Sequence, residues 1–81
     1  MNPVQEAHVA KCFPETREDM ARYLTAGVDV IIRRQTETGP DVPPFAIAVA
    51  SEPEFWIDCA NSKRAAVAVA QSLGLRVVRA Q

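Results

Sequence analysis

The apolar positions of this chain change period as it proceeds, from helical spacing to alternation, and then through the same pair again. The first clear segment follows Pro14. Met20 and Leu24 share a helical face with Ala21 beside them, and Gly27 offers a left-handed stop, so a helix is predicted from Glu15 to Ala26. Thr16 is placed to accept from first-turn N–H groups, with Asp19 completing an approximate capping box and Glu18 and Asp19 near the positive end of the helix dipole. The preceding stretch, "MNPVQEAHVAKCF", has no decisive period. Val9, Cys12 and Phe13 fit one helical face, but an edge strand or a loose arm fits as well. Residues 1–13 therefore read as an N-terminal arm, and residues 14–81 as a single domain.

Alternation begins at "VDVIIRRQTE". Val28, Val30 and Ile32 fall on one side and Asp29, Ile31 and Arg33 on the other, which predicts a strand. "TGPDVPP" breaks it, because proline cannot donate to a ladder. "FAIAVA" and "FWIDCA" then flank "SEPE", a connection rich in turn formers, and predict a hairpin. Simple alternation puts Phe45, Ile47 and Val49 on one face with Phe55, Ile57 and Cys59. Ala46, Ala48 and Ala50 take the other face with Trp56, Asp58 and Ala60. On this reading Cys59 is an apolar filler of the core and Asp58 points away from it.

A second helix is predicted from an N-cap at Asn61 or Ser62 to Leu73, closed by Gly74, with Ala66, Val69, Ala70 and Leu73 as its buried stripe. "LRVVR" alternates as a last short strand with Leu75 and Val77 inward. The fold class expected is α+β: helix, three antiparallel strands, helix, strand, with the last strand beside strand one or strand three and the helices on one face. The alanine face, centred on Trp56, is then left uncovered. Trp56 there is either an anchor for a protein partner or a residue packed by the N-terminal arm.

Composition sharpens this outline. With 81 residues the chain is one domain, and much of its 48% apolar content is alanine, so its core is thin and a homodimer would bury more. The net charge of −1 hides a division: residues 61–81 hold Lys63, Arg64, Arg76 and Arg79 and no acid, whereas all ten acids lie in residues 1–60. Two cysteines make no disulfide framework, and neither a signal-peptide nor a membrane-length apolar run occurs, so a cytoplasmic protein with reduced thiols is expected.

Catalytic chemistry finds little to work with. His8 and Cys12 have the spacing of one helical face, but two ligands make no zinc site, and no cofactor is expected. A cysteine nucleophile needs a histidine and an orienting group, which no spacing here implies. The three glycines read as turns or caps rather than as a phosphate loop.

Gly39-Pro40, Phe45, and Ser62-Lys63-Arg64 followed by Ala66 form one further pattern. With the order helix, three strands, helix, this pattern resembles the double-stranded RNA-binding domain over residues 15–73. The resemblance implies that Lys63 and Arg64 meet phosphates across a major groove, and Arg33 and Arg34 extend the candidate nucleic-acid set. Against it stand Glu15, Glu18 and Asp19 on the first helix and a pI near 5.7. The leading expectation is therefore a small non-catalytic interaction protein. It would be an adapter or an inhibitor of the kind phages and mobile elements encode, such as an anti-CRISPR-type inhibitor, binding a protein partner through Trp56, Asp58, Arg76 and Arg79. The alternative is duplex-RNA binding through Lys63, Arg64, Arg33 and Arg34.

Overall fold

In the computed structural model, which describes residues 1–36 and 39–80, the chain forms an α+β fold of three α-helices and a four-stranded sheet. Helix α1 spans Pro3–Lys11, and a 3₁₀ turn at Pro14–Thr16 leads into α2, Arg17–Ala26. Strands β1 (Asp29–Arg34), β2 (Phe45–Val49) and β3 (Glu52–Ala60) follow, then α3 (Lys63–Ser72) and β4 (Arg76–Ala80). Glu37 and Thr38, where the predicted first strand ended and its loop began, lie outside the described residues. Among the described residues no helix is long and apolar enough to cross a membrane.

The ambiguous N-terminal segment is a helix, and its start is chemically well specified. Asn2 Oδ1 accepts from the Gln5 amide, Gln5 Oε1 accepts from the Asn2 amide, and Pro3 occupies the first turn. Its apolar face is weak: no residue of α1 is fully buried, and only Val9 and Cys12 pack against the core. Polar tethers hold it instead. Gln5 Nε2 donates to Leu73 O (2.9 Å) and Leu24 O (3.4 Å), so one amide meets the C-terminal carbonyls of both other helices. Arg17 donates to Cys12 O and Ala10 O and so caps the end of α1.

Helix α2 ends at Gly27 (φ 63°) and α3 at Gly74 (φ 74°), both in left-handed Schellman-type turns, as the spacing predicts. Ser62 is the N-cap of α3, accepting from the Ala65 amide. Thr16 does not act as the expected cap. It already has near-helical backbone angles, and its hydroxyl donates back to Phe13 O within the 3₁₀ turn.

The sheet order is β3-β2-β1-β4, with β1, β2 and β3 antiparallel and β4 parallel to β1. Helix α3 crosses the sheet and delivers the last strand to the free edge of β1, which decides between the two positions expected for it. Strand β3 begins at Glu52, so the hairpin connection is shorter than "SEPE", and Pro53 lies in the strand itself. An edge strand tolerates this, because one side of it needs no donor.

One layer of core lies between sheet and helices. Val30, Ile32, Ile47, Val49, Ile57 and Ala60 from the strands meet Met20 and Leu24 of α2 and Ala66, Ala70 and Leu73 of α3. Two alanines of α3 are wholly buried, which lets its backbone approach the sheet closely. Phe55 and Tyr23 fill the margin, their rings 4.8 Å apart and tilted by 57°. Gln35 closes the loop after β1, its side chain donating to Pro43 O and its amide to Pro44 O.

Candidate functional site

The pairing of β3 with β2 is irregular at two places, between Trp56 and Asp58 and between Glu52 and Trp56, and the first decides which side chains share a face. Ala48 pairs with Trp56 and Ile47 with Asp58, so Ile57 has no partner of its own and forms a β-bulge. Beyond a one-residue insertion every side chain changes face. Ile57 and Asp58 both lie on the helix side, Cys59 pairs with Ala46 on the reverse, and Ala60 returns to the core. The expectation that Cys59 is core and Asp58 faces away is thus inverted. Asp58 Oδ1 accepts from the Cys59 amide at 2.7 Å, within the irregular segment.

On the helix side the bulge brings Asp58 to α1. His8 Nε2 lies 2.7 Å from Ile57 O, and since a carbonyl can only accept, Nε2 carries the proton. His8 Nδ1 faces Asp58 Oδ2 at 3.9 Å, beyond hydrogen-bond reach. Cys12, one turn on, donates its thiol to His8 O. Burial, opposed by Arg17 and reinforced by Asp58, holds the Cys12 thiol above its ordinary pKa. His8, Cys12 and Asp58 do come close together, though no spacing predicted it. The histidine proton is committed to a backbone carbonyl and the thiol is kept neutral, so the cluster ties α1 to the sheet edge. Among the described residues no group of three His, Cys, Asp or Glu side chains could hold a metal ion.

Among the described residues no helix lies on the reverse face of the sheet. Two rows cross it: Arg33, Ala46 and Cys59, and next to them Ile31, Ala48 and Trp56, with Arg79 beside Ile31 at the β4 end. Ile31, Ala46 and Ala48 are buried yet stand apart from the helix-side core. The result is an alanine floor between Ile31 and Arg33 on β1 and Trp56 and Cys59 on β3. Trp56 is half-buried, with Lys11, Cys12 and Phe13 of the N-terminal segment beside it. At the β3 edge it lines a groove with Phe13, Cys12 and Phe55, and Phe13 is 75% exposed. Cys59 is half-buried, its pKa raised by burial and by the Asp58 charge.

The remaining predicted site residues divide among three places. Arg76 is tied by two bonds of 3.1 Å to Asp29, whose hydrogen bond and charge raise its pKa further. Arg79 has no ion pair among the described residues. Asp58, expected beside Trp56, is on the opposite side of the sheet. Strands β1, β3 and β4 all end at one edge of the molecule, where α3 begins, so Arg34, Lys63 and Arg64 gather there with Arg33 nearby. Arg34 lies 5.7 Å from the centre of the Phe45 ring. Lys63 and Arg64 occupy the first turn of α3, which has no acid to offset the dipole, and line a shallow surface with Val67, Ala68 and Gln71.

No protein-family model matches the chain, and neither a curated protein nor a solved structure matches it significantly.

Proposed function

We propose that this chain is a small non-catalytic binding module that engages a protein partner through the open face of its sheet. The observation that carries the reading is the placement of Trp56. Half-buried, it pairs with Ala48 on the side of the sheet where no helix lies among the described residues, with Arg33 and Arg79 on the same side. A large aromatic beside small residues, with cationic groups at the margin, is the composition of an interface centre. The commitment of His8 and Cys12 to structural bonds supports a binding role over a catalytic one. An adapter or a phage-type inhibitor uses such a surface without any cofactor.

The test compares the wild-type chain with Trp56→Ala as bait in matched pull-downs from a candidate host. A defined prey should be retained by the wild type and lost by the variant, with a Tm change well below that of a core substitution. Equal retention by both chains contradicts the reading.

The basic edge supports a second reading, duplex-RNA binding. Lys63 and Arg64 lie at a helix start with no first-turn acid, Arg34 ends β1 at the same edge of the sheet, and the order of elements resembles that of the RNA-binding family. Glu18 and Asp19 on α2 weigh against it, since the family uses that helix as well. A mobility shift with duplex RNA that weakens steeply with salt, and is abolished by Lys63→Ala with Arg64→Ala, would establish it over the first.

A further inference from the structure

We propose that two copies of this chain associate about a twofold axis at the β3 edge, each seating Phe13 in the aromatic groove of the other. The groove, of about 350 Å³, has two unlike walls. One is the N-terminal segment, with Lys11, Phe13 and Thr16, and the other is β3, with Glu54, Phe55 and Trp56. Phe13 is 75% exposed, more than any other large apolar residue described. It is no loose end. Cys12 O accepts from Arg17 Nε, Phe13 O accepts from the Thr16 amide and hydroxyl, and Pro14 restricts Phe13 to the extended backbone it adopts (φ −59°, ψ 140°). The ring is therefore held out on a fixed turn, and docking it costs little ordering.

Symmetry names the occupant. A twofold contact joins one patch to itself, so the patch must hold both a projecting group and a place that receives it. A half-turn about an axis through this groove sets the N-terminal wall of one copy against the β3 wall of the other. Phe13 then meets Phe55 and Trp56 of the second copy, and Lys11 meets Glu54. Both charges are exposed, and neither has an ion pair among the described residues. A partner of one charge sign would answer one of them and oppose the other. Strand addition suits this edge less well: Pro53 has no N–H, Ile57 O is taken by His8 and the Cys59 N–H by Asp58. The contact does not rest on the partner reading of the open face, and the variants below leave Trp56 in place.

The test is sedimentation equilibrium of the full chain, with isotope-filtered nuclear Overhauser spectra on a mixture of labelled and unlabelled copies. The mass should rise with concentration from 8.9 kDa towards twice that, and contacts from the Phe13 ring to the Trp56 indole should appear between copies. Phe13→Ala should raise the dissociation constant about thirtyfold and leave the Tm of the dilute chain unchanged. Lys11→Glu and Glu54→Lys should each raise it about fivefold, and the two together should restore it. A chain that stays at 8.9 kDa up to about 1 mM contradicts the proposal. So does a dimer that Phe13→Ala and the charge reversals leave intact, since it pairs through another surface. A monomer whose Phe13 is covered only when a protein prey is bound gives the groove to that prey, and the partner reading outlives this one.

Discussion

The two faces of this sheet are built from the same strands and solve opposite problems. On the helix side, Val30, Ile32, Ile47, Val49 and Ile57 meet buried alanines and leucines from α2 and α3, and large side chains fill the space that small ones leave. On the reverse the order is exchanged: β2 offers only Ala46 and Ala48, and the bulk sits on β1 and β3. A face meant for the chain's own helices has its large residues in the middle. The reverse face has its large residues on the two strands that flank β2, with the small ones covered between them. Ile57 marks the seam, because its bulge sends Asp58 to the helices and Cys59 to the open side.

The largest effect should come from Ile47→Ala, which empties the centre of the helix-side core and costs about 2–5 kcal/mol in urea unfolding. Ile31→Ala removes the same atoms from the other face, where no helix is held in place and neighbouring side chains can collapse. A loss at the low end of the same range, about 2 kcal/mol, is expected. Equal losses would erase the distinction between the faces. Ala70→Leu tests the close approach of α3 from the opposite direction, and overpacking should cost about 1–3 kcal/mol.

Smaller changes probe α1. In His8→Ala the bond to Ile57 O is lost, and the cost should be about 1 kcal/mol. Amide exchange should quicken in α1 and leave α2 and α3 unchanged. Quickening across all three helices would mean that α1 belongs to the core as fully as α3 does.

The smallest effect is one of pH. Both thiols have folded pKa values raised mainly by burial, so the folded state holds its thiol protons more tightly than the unfolded chain. Their contribution is fully present below the unfolded thiol pKa and is lost as pH rises through the folded one. Stability should decline slightly above the ordinary thiol range, and Cys12→Ala with Cys59→Ala should remove that decline. Persistence of the full decline in the double variant would place its origin elsewhere.

Much of the fold is legible in the sequence because local signals agree with tertiary packing. Gly27 and Gly74 end helices where the left-handed turn is needed, Ser62 caps α3, and Ala66, Ala70 and Leu73 form the stripe their spacing implies. Three features are not legible, each for a physical reason. Helix α1 has little amphipathic character, and Gln5, which donates to two helix ends, acts over a sequence distance no periodicity reports. Thr16 sits in a 3₁₀ turn whose angles a capping pattern does not distinguish. The bulge at Ile57 has no signature in "FWIDCA", because alternation assumes one residue against one. Its consequence for the candidate site is the largest, since it exchanges Asp58 for Cys59 beside Trp56.

The placement of those two residues can be measured directly by proton–proton nuclear Overhauser contacts in the labelled chain. The bulged strand predicts contacts from Cys59 Hβ to the Ala46 methyl, and from Asp58 Hβ to the helix side beside His8 and Leu73. Contacts from Cys59 Hβ to Leu73 and Ile47, with Asp58 Hβ against Ala46, would restore simple alternation and contradict the open face described above.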